Sequence, residues 1–297
     1  VGRITRGYLG YVEALHRPGA FGSSVHEVTN ALVGLAGVPR LRLGSLDVGA
    51  VDAAAVSVGD VDQLVAFVRA LKTIATDPAS RALGPAAEAF FTVGGVIGNV
   101  TERLRRLEAV DAQGPSYDAL RHFLHDEFVP SLGALSEWAR ARGDADAELP
   151  WPQRTLSPSD LGFHNALREA DGRLVFLDFE YFGWDDPAKT LSDALLHPRM
   201  RLAPPLRSHL AREFASVFDA GPEWRHRVEM LYPLFGLKWC MILLNEFRSE
   251  QLERRRFVDP DPEESHALQM RQLDAARNLL QKIMHEHPRF PFWESDA

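Results

Sequence analysis

The sequence predicts an α+β fold, with a few short strands and a larger number of helices. An apolar run at 174–177 follows a polar turn at 169–172, which is the pattern of a β-hairpin. A hairpin fragment is also indicated at 1–18. Apolar residues recur at helical spacing in most of the chain from position 58, and after position 193 the pattern is entirely helical. With 297 residues the chain is long enough for two lobes.

The composition is that of an ordinary globular protein, with 45% hydrophobic and 25% charged residues. The net charge of −8 argues against a nucleic-acid partner. The single cysteine, Cys240, permits no disulfide within the chain, so we expect a reducing, cytoplasmic location. The apolar segment 231–244 is interrupted by proline, glycine and lysine, so no membrane span is predicted. No signal peptide is evident, and since the numbering begins at Val1 we expect the true N-terminus to be missing.

The clearest chemical pattern lies in the segment 156–193. Asp160 is followed five residues later by Asn165, and Asp178 comes directly after the apolar run of the hairpin. Carboxylate and amide oxygens are the ligands that Mg²⁺ prefers, and Mg²⁺ accompanies the phosphates of ATP. A hydroxyl group that attacks a phosphate needs a carboxylate to orient it and to accept its proton. We therefore predict that Asp160 contacts such a hydroxyl, and that Asn165 and Asp178 bind the metal.

The same segment resembles the aminoglycoside phosphotransferase and choline kinase group, the small-molecule branch of the protein-kinase-like fold. The usual pattern of that group is H-G-D-x-x-x-x-N, a short hairpin, then [IL]-D-[FW]-E and G-D-P-A. The matching residues here are Pro158-Ser159-Asp160 with Asn165, then Leu177-Asp178-Phe179-Glu180, then Asp185-Asp186-Pro187-Ala188. The chain departs from the pattern at Pro158, where the group has a histidine that supports the loop backbone.

The resemblance covers mainly residues 150–195, and it implies a bilobal protein-kinase-like fold. A small β-rich nucleotide-binding lobe is expected at 1–57, and a mainly helical lobe with the catalytic loop and the substrate site at 58–297. ATP and Mg²⁺ are the implied cofactors, and the implied acceptor is a hydroxyl of a small molecule such as an aminoglycoside, a sugar or an amino alcohol. The fold does not choose among these acceptors.

In the N-terminal lobe, the resemblance assigns Gly7 and Gly10 to a phosphate-covering loop and Glu27 to an ion pair with a phosphate-binding lysine. An ordinary hairpin turn and a helix-capping glutamate explain the same residues equally well. The required lysine is absent, because the first lysine of the chain is Lys72. The residues before Glu27 are also too few for three strands of about 5–6 residues each. Either this lobe is degenerate or part of it is missing from the sequence, and we favour the second interpretation.

Other acidic residues of the segment have less specific roles. Glu180 is predicted to make a water-mediated metal contact, a substrate contact or a structural hydrogen bond. Three further carboxylates are predicted to tie the loop to neighbouring backbone amides: Asp185, Asp186 and Asp193.

Three functions remain open from the sequence. The leading hypothesis is a phosphotransferase that uses Asp160, Asn165 and Asp178. The second is a pseudokinase-like module that binds a nucleotide or a partner without phosphotransfer, which the missing lysine suggests. The third is a metal-dependent hydrolase built on Asp160, His164 and Asp178. The sequence does not indicate an oligomeric state.

Helical periodicity predicts the remaining elements. Helices are expected at 23–36, 58–75, 85–91, 99–110, 117–142, 206–218 and 263–285, with a buried helical pair at 224–247. The glycines at 94–98 predict a flexible segment, and Pro130 is expected to kink the helix at 117–142. The aromatic residues of that helix are expected to belong to the core.

Overall fold

The computed structural model of the chain describes residues 40–43, 46–52, 55–218, 221–248 and 262–293. The predicted hairpin at 1–18 and the predicted helix at 23–36 lie outside these residues. Contacts divide the chain into two compact units. The first unit comprises 1–89, 150–222 and 292–297, and the second comprises 90–149 and 223–291. The predicted lobes, 1–57 and 58–297, are bounded differently, and since most of the smaller one lies outside the described residues, that division stays a prediction.

Among the described residues, the elements are short strands and mostly long helices, as the α+β prediction requires. The strands are β1 (Arg40–Leu43), β2 (Leu46–Ala50), β3 (Thr155–Ser157), β4 (Ala166–Glu169), β5 (Leu174–Phe176) and β6 (Gly183–Asp185). The α-helices are α1 (Val58–Ala75), α2 (Val93–Glu108), α3 (Pro115–His122), α4 (Val129–Arg140), α5 (Pro187–Leu196), α6 (Pro204–Val217), α7 (Pro222–Leu243) and α8 (Pro262–Glu286).

The two sheets of the described residues belong to the first unit. One is a four-stranded antiparallel sheet in the order β1-β2-β4-β5, and the other pairs β3 with β6. The predicted hairpin is β4 and β5, and its turn contains Gly172, whose φ of 91° is a conformation that favours glycine. Because β3 and β4 are consecutive but belong to different sheets, the loop between them, 158–165, crosses from one sheet to the other.

Helix α1 holds this hairpin in place, and its bounds confirm the helix predicted at 58–75. Its N-terminus is a capping box, in which Ser57 and Asp60 each accept from the other's backbone amide. Asp60 is buried and also accepts from Arg168 Nη1 of β4 at 2.6 Å. One turn on, Gln63 Oε1 accepts from the backbone amide of Leu174 at the start of β5. The helix therefore contacts both strands of the hairpin through charged or polar side chains.

The helix predicted at 85–91 is wrong. The backbone amides of Ala86 and Ala87 donate to Trp184 O and Tyr181 O, so this segment is tied to the strand β6 and to the turn before it. The predicted flexible glycine segment is wrong as well, because residues 94–98 lie within α2. Thr92 caps this helix at Gly95 N, and its early residues Val93, Val96 and Ile97 are buried. Burial of an apolar face outweighs the low helix propensity of glycine here.

The helix predicted at 117–142 is present in three parts, all in the second unit. Between α3 and α4 the residues Phe123–Phe128 form a π-helical segment. Pro130 follows directly in α4, so the proline and the π-helical segment lie next to each other within one continuous helical stretch. Phe123 and Phe128 are fully buried, which confirms their assignment to the core.

The segment predicted as a helical pair at 224–247 is mainly a single helix, α7, which continues through Pro233 and ends in a 3₁₀ turn at Leu244–Phe247. Gly236 lets it approach α8 closely, since a Cβ there would lie 2.5 Å from Ile283. Contrary to the sequence prediction, Pro222–Phe247 is long and apolar enough to cross a membrane. However, 78% of its most apolar stretch is buried inside the protein, as in the core helix of a globular unit.

Gly183 of β6 provides a stability prediction. A Cβ at this position would lie 2.5 Å from Gly84 O and 2.6 Å from Ala86 N, which are backbone atoms with little freedom to move. We expect Gly183→Ala to lower the free energy of unfolding by about 1–3 kcal/mol, the usual cost of overpacking. Gly84→Ala is the matched control, because a Cβ there meets nothing within 4 Å. Equal denaturant midpoints for the two variants would contradict this account of the β6 contact.

Candidate active site

The loop 158–165 is anchored by its apolar residues. Leu161 and Phe163 are buried, and the residues Phe163–Asn165 form a 3₁₀ turn that leads directly into β4. Gly162 is required by packing and not by its φ, because a Cβ would lie 2.4 Å from the ring of His164. With its apolar residues inside, the loop leaves the carboxylate of Asp160 partly open, with 42% of that side chain exposed.

Asp160 is held by two other residues of its own loop. Its Oδ1 lies 3.0 Å from His164 Nε2, and its Oδ2 accepts from Asn165 Nδ2 at 3.1 Å. The same Asn165 nitrogen donates to the backbone oxygen of Asp160 at 2.9 Å. Burial raises the pKa of Asp160, but the hydrogen bond and charge of His164, the charge of His197 and the bond from Asn165 outweigh it and lower this pKa to about 2. At neutral pH the side chain is therefore an ionised carboxylate of fixed orientation.

The hairpin brings Asp178 next to Asn165. Ala166 is paired with Phe176 in the β4–β5 ladder, and the amide of Leu177 continues it by donating to Asn165 O at 2.8 Å. Asp178 then turns away with a φ of 61°, a conformation that aspartate adopts more readily than most residues. Its pKa is raised by burial and by the negative charges of Glu180 and Asp160. Asp160 and Asp178 thus belong to one group of mutually repelling carboxylates.

This donor set fits Mg²⁺. Asn165 uses its amide nitrogen on Asp160, so the amide oxygen is the atom that it can offer to a cation. Asp178, which follows the residue that donates to Asn165 O, adds a carboxylate. Hard oxygen donors and repulsion between carboxylates both favour a bound divalent cation.

A second histidine, His197, completes the surroundings of Asp160. Its ring stacks on that of His164 with 3.8 Å between centroids and 6° between planes. Its Nε2 lies 3.7 Å from Asp160 Oδ1. Burial and then the charge of His164 lower the pKa of His197 to about 4. His197 was not among the predicted site residues, because it lies 37 positions beyond Asp160 and only the fold brings the two together.

Asp160, His164 and His197 are also the three side chains, among the described residues, whose donor atoms lie close enough for one metal ion. The hydrolase hypothesis named Asp160, His164 and Asp178, so this set differs from it in having His197 instead of Asp178. The backbone amide of Arg199 donates to His197 Nδ1 at 3.1 Å, which places the proton of the neutral ring on Nε2. That nitrogen faces Asp160 as an N–H group. The hydrogen bonding therefore favours a carboxylate-orienting role over metal binding for His197.

Asp185 and Asp186 have the predicted contacts with neighbouring backbone amides, and Asp193 contacts a buried lysine. Asp186 caps α5 by accepting from Ala188 N, and Asp185 Oδ1 accepts from Asp186 N. Asp185 Oδ2 and Asp193 Oδ2 both contact Lys189 Nζ, at 2.7 Å and 3.4 Å. Lys189 is 1% exposed, and the attraction of the two carboxylates raises its pKa despite burial. The sequence does contain a signal for this buried lysine, namely an aspartate four residues away on either side.

Glu180 is exposed and accepts from the hydroxyl of Tyr181, and its charge further raises the pKa of that tyrosine. Its backbone amide donates to the side chain of Asp178. Both contacts are compatible with the structural role predicted for Glu180, and the metal and substrate roles stay predictions. Gly7, Gly10 and Glu27 lie outside the described residues.

Comparison with solved structures shows what the fold is similar to. A spectinomycin phosphotransferase in complex with ADP and spectinomycin matches with a TM-score of 0.54 and 10% sequence identity, over 85% of this chain and 75% of that chain. A choline kinase from Streptococcus pneumoniae matches with a TM-score of 0.46 and 14% identity, over 81% and 69% of the two chains. A choline/ethanolamine kinase family protein from Mesorhizobium loti matches with a TM-score of 0.45 and 18% identity, over 94% and 95%.

No protein-family model and no curated protein sequence matches this chain. The spectinomycin phosphotransferase is similar over most of both chains, and at 10% identity this similarity concerns the fold. The resemblance recognised in the segment 150–195 is therefore confirmed at the level of the fold. The chain has an α+β fold of the protein-kinase-like type that small-molecule phosphotransferases also have.

Proposed function

We propose that the protein is an ATP- and Mg²⁺-dependent phosphotransferase that moves the γ-phosphate of ATP to a hydroxyl of a small molecule of the aminoglycoside, sugar or amino-alcohol type. The observation that carries the proposal is the arrangement of three side chains in the first unit. Asp160 is ionised and oriented by Asn165, while the β4–β5 ladder brings Asp178 beside that same asparagine. Oxygen donors for a metal and a carboxylate for a hydroxyl are thus joined in one site.

Each residue has a distinct part in this proposal. Asp160 accepts a hydrogen bond from the acceptor hydroxyl and takes its proton as the new phosphate ester forms. Asn165 and Asp178 hold the Mg²⁺ that accompanies the phosphates, and ATP with Mg²⁺ supplies the transferable phosphoryl group. His164 fixes the direction of the Asp160 carboxylate through its 3.0 Å contact. We assign the phosphate contact to Gly7 and Gly10, and the pairing with a lysine to Glu27. We further propose a cytoplasmic location, with no nucleic-acid or membrane partner.

A pseudokinase-like module that binds a nucleotide without phosphotransfer is the second candidate. The specific observation in its favour is the lack of any lysine before Glu27. The residues proposed to bind the metal and the acceptor hydroxyl argue for turnover. A module that only binds a nucleotide has no need of an oriented carboxylate at Asp160. The two candidates differ in whether ADP is formed.

The direct test is a screen of hydroxylated small molecules with ATP and MgCl₂, in which ADP release is measured. Spectinomycin, choline and ethanolamine are included, because relatives in fold carry the corresponding names. Acceptor-dependent ADP formation, with a phosphorylated product identified by mass spectrometry, is expected. Nucleotide binding by calorimetry without turnover of any acceptor would favour the pseudokinase-like module instead.

The proposed nucleotide-binding lobe makes a separate prediction. If Gly7, Gly10 and Glu27 surround the phosphates, ATP with MgCl₂ should slow amide hydrogen exchange in peptides from residues 1–57. Peptides from 262–291, in the second unit, serve as an internal reference. Identical exchange in 1–57 with and without saturating nucleotide would contradict the assignment of these three residues.

A further inference from the structure

Lys189 is a buried cation that the proposed chemistry does not use. It lies in the first turn of α5, and its side chain is 1% exposed. Its Nζ contacts Asp185 Oδ2 at 2.7 Å, Asp193 Oδ2 at 3.4 Å and Ser159 Oγ at 3.4 Å. The two carboxylates lie within the same chain segment as the lysine, whereas Ser159 belongs to the loop 158–165. The lysine therefore connects α5 to the residue directly before Asp160.

Ser159 is held in an uncommon backbone conformation, with a φ of 69°. Its amide donates to Ser157 Oγ at 3.0 Å, and its hydroxyl donates to Ala87 O at 2.7 Å. Since that hydroxyl is used as a donor to Ala87, the contact with Lys189 is one in which Ser159 Oγ accepts. The preceding Pro158 has neither an amide hydrogen nor a polar side chain, so it cannot donate a hydrogen bond that would anchor the loop.

We propose that Lys189 is a positioning residue, which acts through Ser159 to set the orientation of the Asp160 carboxylate. This inference rests on the proposed function, because it concerns the base of that reaction. A left-handed conformation at Ser159 determines the direction in which the next residue leaves the backbone. The Ser159 hydroxyl accepts from Lys189 and donates to Ala87 O. These two hydrogen bonds hold Ser159 in its strained conformation, which a residue without them would leave.

Helix α5 supports Asp160 from its other end as well. His197, the residue after its last turn, lies 3.7 Å from Asp160 Oδ1 and stacks on His164. The helix thus reaches the backbone before Asp160 through Lys189, and the carboxylate itself through His197. Asp185 and Asp193 hold the ammonium group of Lys189 in one position, whereas the side chain of a lysine in water is flexible.

The test uses Ser159→Ala, with Ser192→Ala as the matched control. Ser192 is a buried serine of α5 whose hydroxyl donates to Ala188 O at 2.7 Å, within the same helix. Lys189→Met is made as well, but it leaves Asp185 and Asp193 without their cation and risks misfolding. Ser159→Ala removes the contact with Lys189 together with the bond to Ala87 O, and it leaves the two carboxylate contacts of the lysine in place. The acceptor is the one with the highest kcat/KM in the screen with ATP and MgCl₂.

We expect Ser159→Ala to lower kcat by about 10- to 100-fold, as for a displaced reacting group, with an unchanged KM for ATP. In an Asp160→Asn background the same substitution should cause no further loss, because its effect passes through Asp160. A similar loss in both backgrounds, or parental kcat in Ser159→Ala, would overturn the proposal.

Hydrogen exchange of peptides from 156–165 in the protein without ligands is the second measurement. Faster exchange in Ser159→Ala than in Ser192→Ala is expected, and equal exchange would overturn the proposed connection. This readout does not depend on turnover. If no acceptor were phosphorylated, the proposed function would fail while the exchange data would still decide whether Lys189 and Ser159 hold the loop.

Discussion

Asp160→Asn is expected to lower turnover by about 10²–10⁴-fold, the usual effect of losing a positioned general base. The substitution keeps the shape of the side chain and removes a charge that is fully present at neutral pH, because the pKa of Asp160 is about 2. An asparagine oxygen can still accept from Asn165 Nδ2, and its NH₂ group can donate to His164 Nε2 if that ring changes tautomer. The variant should therefore fold normally.

Nucleotide binding should be nearly unaffected in the same variant. Asp160 is assigned to the acceptor hydroxyl, so the affinity for ATP should change by less than about 1 kcal/mol, or roughly fivefold in Kd. Calorimetry with ATP and MgCl₂ and steady-state rates with the identified acceptor measure the two quantities. Asp62→Asn is the matched control, because Asp62 is an exposed carboxylate 2.7 Å from His209 Nε2 and far from the loop in sequence. Parental turnover in Asp160→Asn would mean that Asp160 is an ordinary loop carboxylate, and the proposed function would fail with it.

Asp178→Asn is expected to abolish Mg²⁺-dependent turnover, with a loss of at least about 10²–10³-fold, as for other groups that stabilise developing charge. The amide is a weaker ligand than the carboxylate. Asparagine tolerates the φ of 61° at this position, so the backbone should not change. Because the carboxylate is repelled by Glu180 and Asp160, removing its charge should leave the melting temperature in the absence of metal unchanged or higher. Loss of activity without loss of stability is therefore expected, and a lost Mg²⁺ dependence distinguishes this metal ligand from the base Asp160.

The measurements for Asp178→Asn are turnover across a MgCl₂ titration and thermal stability with and without ATP and MgCl₂. The parent should be stabilised by the combination more than by ATP alone, and the variant should lose that difference. Asp171→Asn provides a control in the same hairpin, since Asp171 accepts from the amide of Arg173 in the turn and asparagine can do the same. A variant that retained the parental Mg²⁺ dependence would remove Asp178 from the metal site.

The sequence by itself determined the parts of the molecule that depend on local pattern. The periodic apolar face of α1 placed that helix at its observed bounds. The polar turn before Leu174 identified the β4–β5 hairpin, and the spacing of Asp160, Asn165 and Asp178 indicated a shared site. Local signals failed between 85 and 98. There, tertiary hydrogen bonds to Tyr181 and Trp184 and burial of the start of α2 outweighed local propensity.

Only the tertiary structure decided what surrounds Asp160. His197 stacks on His164 and approaches the carboxylate although it follows at the far end of α5. Lys189 reaches Ser159 over 30 positions of sequence. Hydrophobic periodicity cannot predict such contacts. It predicts which face of a helix is buried, but not which residues of other elements contact that face. The residues of the proposed chemistry were thus visible in their order along the chain, whereas the groups that surround Asp160 depend on how α5 packs against the loop 158–165.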